Sequence, residues 1–207
     1  MKKIFALFTV ILLFASFSVF AEDSLLKQRS YVDVGATICL SGGLEVPTAG
    51  VGGSFGTLFS DDSPFMYGTG GRVDIGFGIT EKDSLPFTVS AFGGAAFSYD
   101  FARVLSARVT IGPAITWESI TASESKDGDA LFGLGGGLEA GLSMYFGPRR
   151  NFGFFVDAYG AFCFNLTNAV GAKKMTYLLG ASVGLTFSYG KLPDYEKALG
   201  MLFDAAL

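Results

Sequence analysis

From Ser30 onward, hydrophobic residues alternate with polar or small ones through almost every segment. Before the C-terminal tail no stretch sustains the helical period of about 3.6. Alternation of this kind describes a β-strand whose two faces meet different surroundings. It is clearest over 177–189, where Tyr177, Leu179, Ala181, Val183, Leu185, Phe187 and Tyr189 share one face and Gly180, Ser182, Gly184, Thr186 and Ser188 the other. Six further segments read the same way, over 32–40, 72–79, 87–99, 108–118, 134–146 and 154–165. A weaker eighth, glycine-rich, runs over 49–59 with Val51, Phe55 and Phe59 on one face. The pattern predicts an all-β chain.

Every second connection is short and polar, at 61–64, 100–103 and 147–151, while those near 42–48, 81–85, 119–129 and 166–175 alternate with them. An antiparallel up-and-down meander places the first set at one end, expected to face the periplasm. The second set then faces outside, its last two members being the longer, as a transmembrane barrel has it. With the residues that flank these alternating stretches, each strand is expected to have about 11 to 15 residues, enough for the ~9–11 a tilted strand needs to cross hydrocarbon. On the apolar faces the aromatics fall at two levels: Phe59, Phe97, Tyr99, Phe146, Phe154, Phe187 and Tyr189 towards the periplasm, and Phe87, Trp117, Phe162, Phe164 and Tyr177 towards the outside. Membrane interfaces favour two such girdles. Pro113 sits mid-strand on the outward face and removes a ladder donor, so a bulge is expected at Gly112-Pro113. After Pro193, Leu192, Tyr195, Leu199 and Leu202 recur at helical spacing beside Phe203, predicting a short amphipathic helix in a tail over 191–207. Its role is to close on the barrel mouth or to touch a partner or the membrane surface.

The N-terminus changes the compartment. Lys2 and Lys3 precede an apolar run over 4–20 that closes on Val19-Phe20-Ala21 before Glu22-Asp23, the form of a cleavable secretory signal over 1–21. The expected mature protein is then a barrel over 22–190 followed by the tail. Without Lys2 and Lys3 it carries 13 basic against 19 acidic residues, which argues against a nucleic-acid partner. Position 22 is not Cys, so no lipoprotein anchor is expected. The 29 glycines, all beyond the signal, and the 22 phenylalanines, 17 of them beyond it, suit close-packed strands carrying rings.

The polar faces hold the candidate chemistry. If they line the lumen they place Asp33, Asp74, Glu118, Glu139 and Asp157 there with Arg72 and Arg108. An eight-stranded interior is just filled by side chains, and buried charges must be paired or hydrated. The plain expectation is a rigid ion-pair network. The sharper one is a gate or cation-preferring path in which the arginines exchange acidic partners. The sequence has no histidine, so Ser-His and Cys-His catalysis and His-containing metal sites are excluded. No catalytic residue, metal or cofactor is expected. Gly135-Gly136-Gly137-Leu138-Glu139-Ala140 fits a dinucleotide pattern without its strand-turn-helix setting, and the sequon at Asn165 is a coincidence of composition. Cys39 and Cys163 enter an oxidising compartment. They fall on the inward faces of the first and seventh strands with the eighth between, two strand spacings or ~9–10 Å apart, beyond the reach of a disulfide. Two free thiols are expected.

A signal followed by eight alternating strands with short turns on one side resembles the small outer-membrane barrels of the OmpA, OmpX and OmpW type, over about 31–190. In such families an aromatic residue ends the last strand and is read by the barrel-assembly machinery. Phe187 or Tyr189 fits that place, but here 18 residues follow Tyr189. The resemblance implies a location in the outer membrane, contact with its lipid and with the assembly machinery, and a role as anchor, adhesin, surface shield or narrow pore. Entry of small hydrophobic molecules and lipid modification also occur among its members. The alternative is a soluble periplasmic or secreted lipocalin-like barrel binding an apolar ligand. Such a cup points its apolar residues inward and needs a charged exterior, whereas the polar face here is mostly Gly, Ser, Thr and Ala.

Overall fold

The computed structural model describes residues 27–42, 47–61, 63–79, 87–102, 104–120, 129–146, 150–166 and 174–190. The signal expected over 1–21 and the helix expected in the tail over 191–207 lie outside them. The described chain is eight antiparallel strands: β1 (Lys27–Ser41), β2 (Pro47–Ser60), β3 (Phe65–Gly78), β4 (Phe87–Ala102), β5 (Leu105–Ile120), β6 (Asp129–Phe146), β7 (Phe152–Asn165) and β8 (Met175–Gly190). Each pairs with its neighbour in sequence, and β1 pairs with β8 from Arg29↔Gly190 to Ser41↔Leu178, so the sheet closes into a barrel. Closure leaves no edge whose N–H and C=O groups would lack partners in hydrocarbon. β1 begins and β8 ends at one mouth, here the terminal mouth, together with the short connections 61–64, 103–104 and 147–151; the other four connections share the loop mouth.

The two faces are sorted by charge, although Leu58, Met66, Phe92, Leu131, Phe155 and Leu178 also point inward. Every outward position of the strands, among the described residues, is free of Asp, Glu, Lys and Arg. Ile38, Val51 and Val183 are each about three-fifths exposed (62%, 61% and 61%) within their strands. The inward face carries Asp33, Arg72, Thr110, Glu139 and Thr186, each buried. An apolar surface wrapped right round a protein far exceeds the patches that water tolerates, and it is the reverse of a lipocalin-like cup. The barrel is a transmembrane one.

The aromatics gather at the two ends, as their placement in sequence predicts. Towards the terminal mouth Phe65 stacks on Phe97 (6.3 Å), and Phe146 meets Phe154 and Phe152 meets Phe187 (both 5.5 Å). Towards the loop mouth Phe87 lies between Phe77 (5.3 Å) and Trp117 (5.9 Å), and Phe162 meets Phe164 (6.1 Å).

The bulge expected at Gly112-Pro113 is not there. β5 keeps a continuous register with β6 through Pro113↔Gly136, and the register shift of the sheet falls instead between Asp100 and Ala102 on β4. Opposite Gly112 and Pro113 the β4–β5 pairing lapses over Gly93 and Gly94 and resumes in the same register at Ala95↔Ile111. Proline lacks the N–H for that rung, and the glycines around it let the strands stay close without re-aiming either. A Cβ on Gly94 would run into the Ile111 carbonyl, and one on Gly112 into the Gly93 carbonyl.

Leu138, outward and 49% exposed at the middle of β6, tests the lipid-facing assignment. Leu138→Arg is expected to destabilise the barrel by about 2–4 kcal/mol, the cost of a cation at the bilayer midplane, measured by urea unfolding in phospholipid vesicles. A change near zero would mean that this face is wet.

Candidate functional site: the lumen

All seven residues singled out from the sequence, Asp33, Arg72, Asp74, Arg108, Glu118, Glu139 and Asp157, are buried inside the barrel. Strand pairing with period two puts them there, but it does not say who meets whom. At mid-height two arginines each reach across a diameter. Arg108 on β5 pairs with Asp33 on β1, and Arg72 on β3 pairs with Asp157 on β7 (Nη1 to Oδ2, 2.8 Å). Arg72 also grips Asp74 with two parallel bonds, Nε to Oδ2 at 2.7 Å and Nη2 to Oδ1 at 2.8 Å, and donates to Ser182. Glu139 stands between the two spans, its Oε1 3.3 Å from Arg108 Nη2 and 3.7 Å from Arg72 Nη1. Ser54 Oγ completes the junction, 3.0 Å from Asp33 Oδ2, 2.9 Å from Glu139 Oε1 and 3.0 Å from Arg108 Nη2.

Each guanidinium lies flat on a tyrosine ring: Arg108 over Tyr31 and Arg72 over Tyr159, both 3.8 Å to the centroid. The planar ion offers its edge to carboxylates and its face to a ring, which an ammonium cannot do. The Tyr159 hydroxyl in turn bonds Thr37 Oγ1 at 2.6 Å.

A second charged layer, absent from the sequence reading, closes the terminal mouth. Arg29, Asp100 and Arg150 are all buried there. Asp100 accepts from Arg150 (Nη1 to Oδ2, 2.8 Å) and from Arg29 (Nη1 to both oxygens, 3.4 Å), and the two guanidinium carbons lie 4.5 and 4.8 Å from the Tyr145 centroid. Asp100 is not a turn residue: β4 runs on to Ala102, and Asp100 points inward after Ser98. Arg150 turns in because its backbone is left-handed (φ 51°), with its carbonyl held by the Ser188 hydroxyl. The buried charge among the described residues is thus six carboxylates against four arginines, instead of five against two.

The third towards the loop mouth is different. Among the described residues it holds Cys39, Cys163, Thr48, Thr88, Thr116 and one buried carboxylate, Glu118, whose Oε1 accepts from Ser41 Oγ at 2.5 Å. Both cysteines are free. They are further apart than two strand spacings, because Cys39 faces Gly180 on β8 while Cys163 faces Thr176, four residues along. Among the described residues no three His, Cys, Asp or Glu side chains are placed to hold a metal ion.

The inward glycines are the room these rings need. A Cβ on Gly56 or Gly70 would meet the Tyr31 hydroxyl (2.7 and 2.5 Å), one on Gly137 would meet Phe92 (2.7 Å), and one on Gly180 would enter the Tyr159 ring.

No protein-family model matches the chain, and no curated protein matches it. Solved structures do. The attachment invasion locus protein Ail of Yersinia pestis, solved with the heparin analogue sucrose octasulfate, superposes with a TM-score of 0.54 at 10% identity, over 79% of this chain and 99% of that one. Neisserial surface protein A superposes with a TM-score of 0.54 at 11% identity, over 77% of this chain and 97% of that one. At such identities the likeness is one of fold: that of the small eight-stranded outer-membrane barrels.

Gly180→Ala is expected to cost about 1–3 kcal/mol, because the Tyr159 ring beneath Arg72 must move. Gly136→Ala faces outward, where a Cβ finds no atom nearer than 4.0 Å, and should stay within about 0.5 kcal/mol of the parent. Urea unfolding of both variants in vesicles distinguishes a glycine that houses a ring from one that does not.

Proposed function

We propose that the chain is an exported, nonenzymatic protein of the bacterial outer membrane, whose barrel is a closed anchor holding its loop mouth at the cell surface and whose lumen is not a pore. One observation carries this reading: the lumen is crossed twice along its length by paired arginines, Arg72 and Arg108 at mid-height and Arg29 with Arg150 at the terminal mouth. An eight-stranded interior leaves little beyond the side chains themselves, and here the side chains are linked across it.

The orientation follows from the topology, with the terminal mouth and its short turns in the periplasm and the four other connections outside. The secretory signal and the lipid-facing belt support the location. A cation-selective path, the sharper expectation from sequence, loses support because Asp33, Asp74, Asp100, Glu139 and Asp157 each have an arginine partner. What remains in favour of a surface role is position alone: the structural relatives with this fold include a named attachment protein and a named surface protein.

Planar-bilayer recording of the refolded mature chain tests the closure. The parent is expected to be electrically silent, and so is the Arg72→Ala/Arg108→Ala pair, because the second layer still closes the terminal mouth. Adding Arg29→Ala and Arg150→Ala should then open discrete conductance steps. Each variant is first checked for the heat-dependent shift in gel mobility that marks a folded barrel. Steps from the parent protein would overturn the proposal in favour of a narrow pore.

A further inference from the structure

Among the described residues, five of the six buried carboxylates face an arginine, and Glu118 does not. Its side chain is 1% exposed; its Oε1 accepts from the Ser41 hydroxyl, and its Oε2 is buried with no hydrogen-bond partner among the described residues. Ser41 lies on β1 and Glu118 on β5, opposite sides of an eight-stranded barrel, so the carboxylate hangs in the lumen and not against one wall. On the β6 side Glu118 faces the buried Leu131, and on the other side the lining supplies oxygen. Thr88 is its direct cross-strand neighbour, Thr48 Oγ1 is 3.5 Å from Thr88 Oγ1, and Thr116 is the next inward residue of β5. All three threonines are buried.

We propose that this third of the lumen holds one alkali-metal cation, bound by the free oxygen of Glu118 within a cradle of Ser41, Thr48, Thr88 and Thr116 hydroxyls. A lone buried charge is costly to leave unpaired, and each neighbouring arginine is already committed deeper in the barrel. The donor set selects the ion. Oxygen ligands suit hard cations, while the thiols of Cys39 and Cys163 do not. One carboxylate balances one positive charge, and the several carboxylates that calcium sites recruit are lacking among the described residues. The site is independent of whether the barrel conducts, since Arg72 and Arg108 lie beneath it either way.

Thermal unfolding of the refolded mature chain, followed by circular dichroism, tests the site in potassium or sodium chloride against N-methylglucamine chloride at equal ionic strength. Binding to the native state alone raises the midpoint, so the alkali salts are expected to raise it by several degrees over the bulky organic cation. Glu118→Gln should abolish the difference while keeping the heat-dependent gel shift of a folded barrel. Thr88→Val, which removes one cradle oxygen and keeps the charge, should reduce it, and it stands in if Glu118→Gln does not fold. Equal midpoints for the parent in all salts overturn the proposal, as does a full difference persisting in Glu118→Gln or Thr88→Val.

Discussion

In the hydrocarbon of a bilayer a peptide group has no partner but another peptide group, and this one constraint sets the rest of the molecule. A sheet satisfies it only by returning to its own first strand, which β1 does by pairing with β8 along thirteen residues, from Arg29 to Ser41. Closing at eight strands fixes the bore, and a bore that narrow allows only small inward residues wherever a ring or a guanidinium must also fit. The division into a greasy outside and a crowded polar inside is therefore one consequence of backbone satisfaction, not a separate choice made strand by strand.

Inside, the same geometry favours arginine over lysine. A cation that must sit on Tyr31 or Tyr159 and also bond carboxylates at its rim has to be flat and forked, and all four buried cations are arginines. Such pairs add little net stability when formed, but stripping one partner from a buried pair costs about 3–5 kcal/mol. Two of them, Arg108 with Asp33 and Arg72 with Asp157, join opposite strands, β5 to β1 and β3 to β7, so they form only once the cylinder has closed in the right register. A slip of one strand by one residue would turn that strand's charges to the lipid.

How much of this could be read from the chain depends on which signal each residue gives. The strands, their faces and the mid-height charges were legible because period two needs no tertiary knowledge. Arg29 was not, since Lys27, Gln28 and Ser30 around it are all polar and the alternation cannot show where β1 starts. Asp100 looked like a turn residue beside a short connection, although continuing the inward series through Ser98 reaches it. Arg150 depends on a left-handed backbone at the end of a turn, which no periodicity reports. The bulge expected at Pro113 failed for a related reason: the chemistry of proline forbids one rung, but whether the strand re-aims or merely skips that rung depends on the glycines of the next strand, Gly93 and Gly94. The separation of the two cysteines was read in the right direction and underestimated, because strand spacing was counted without the offset along β8.

The fit between inward glycines and inward rings has an evolutionary corollary. Tyr31 occupies the space that Gly56 and Gly70 leave, and Tyr159 that of Gly180, on strands separated from the ring in sequence. Natural variation at these places should then be reciprocal, a glycine gaining a side chain only in lineages where the facing ring has shrunk. Most other inward positions need only be small, and most outward ones only apolar. A family built under such loose terms can drift until its members share little more than the alternation itself, and its ancestry would survive longest in the correlated sizes of facing residues.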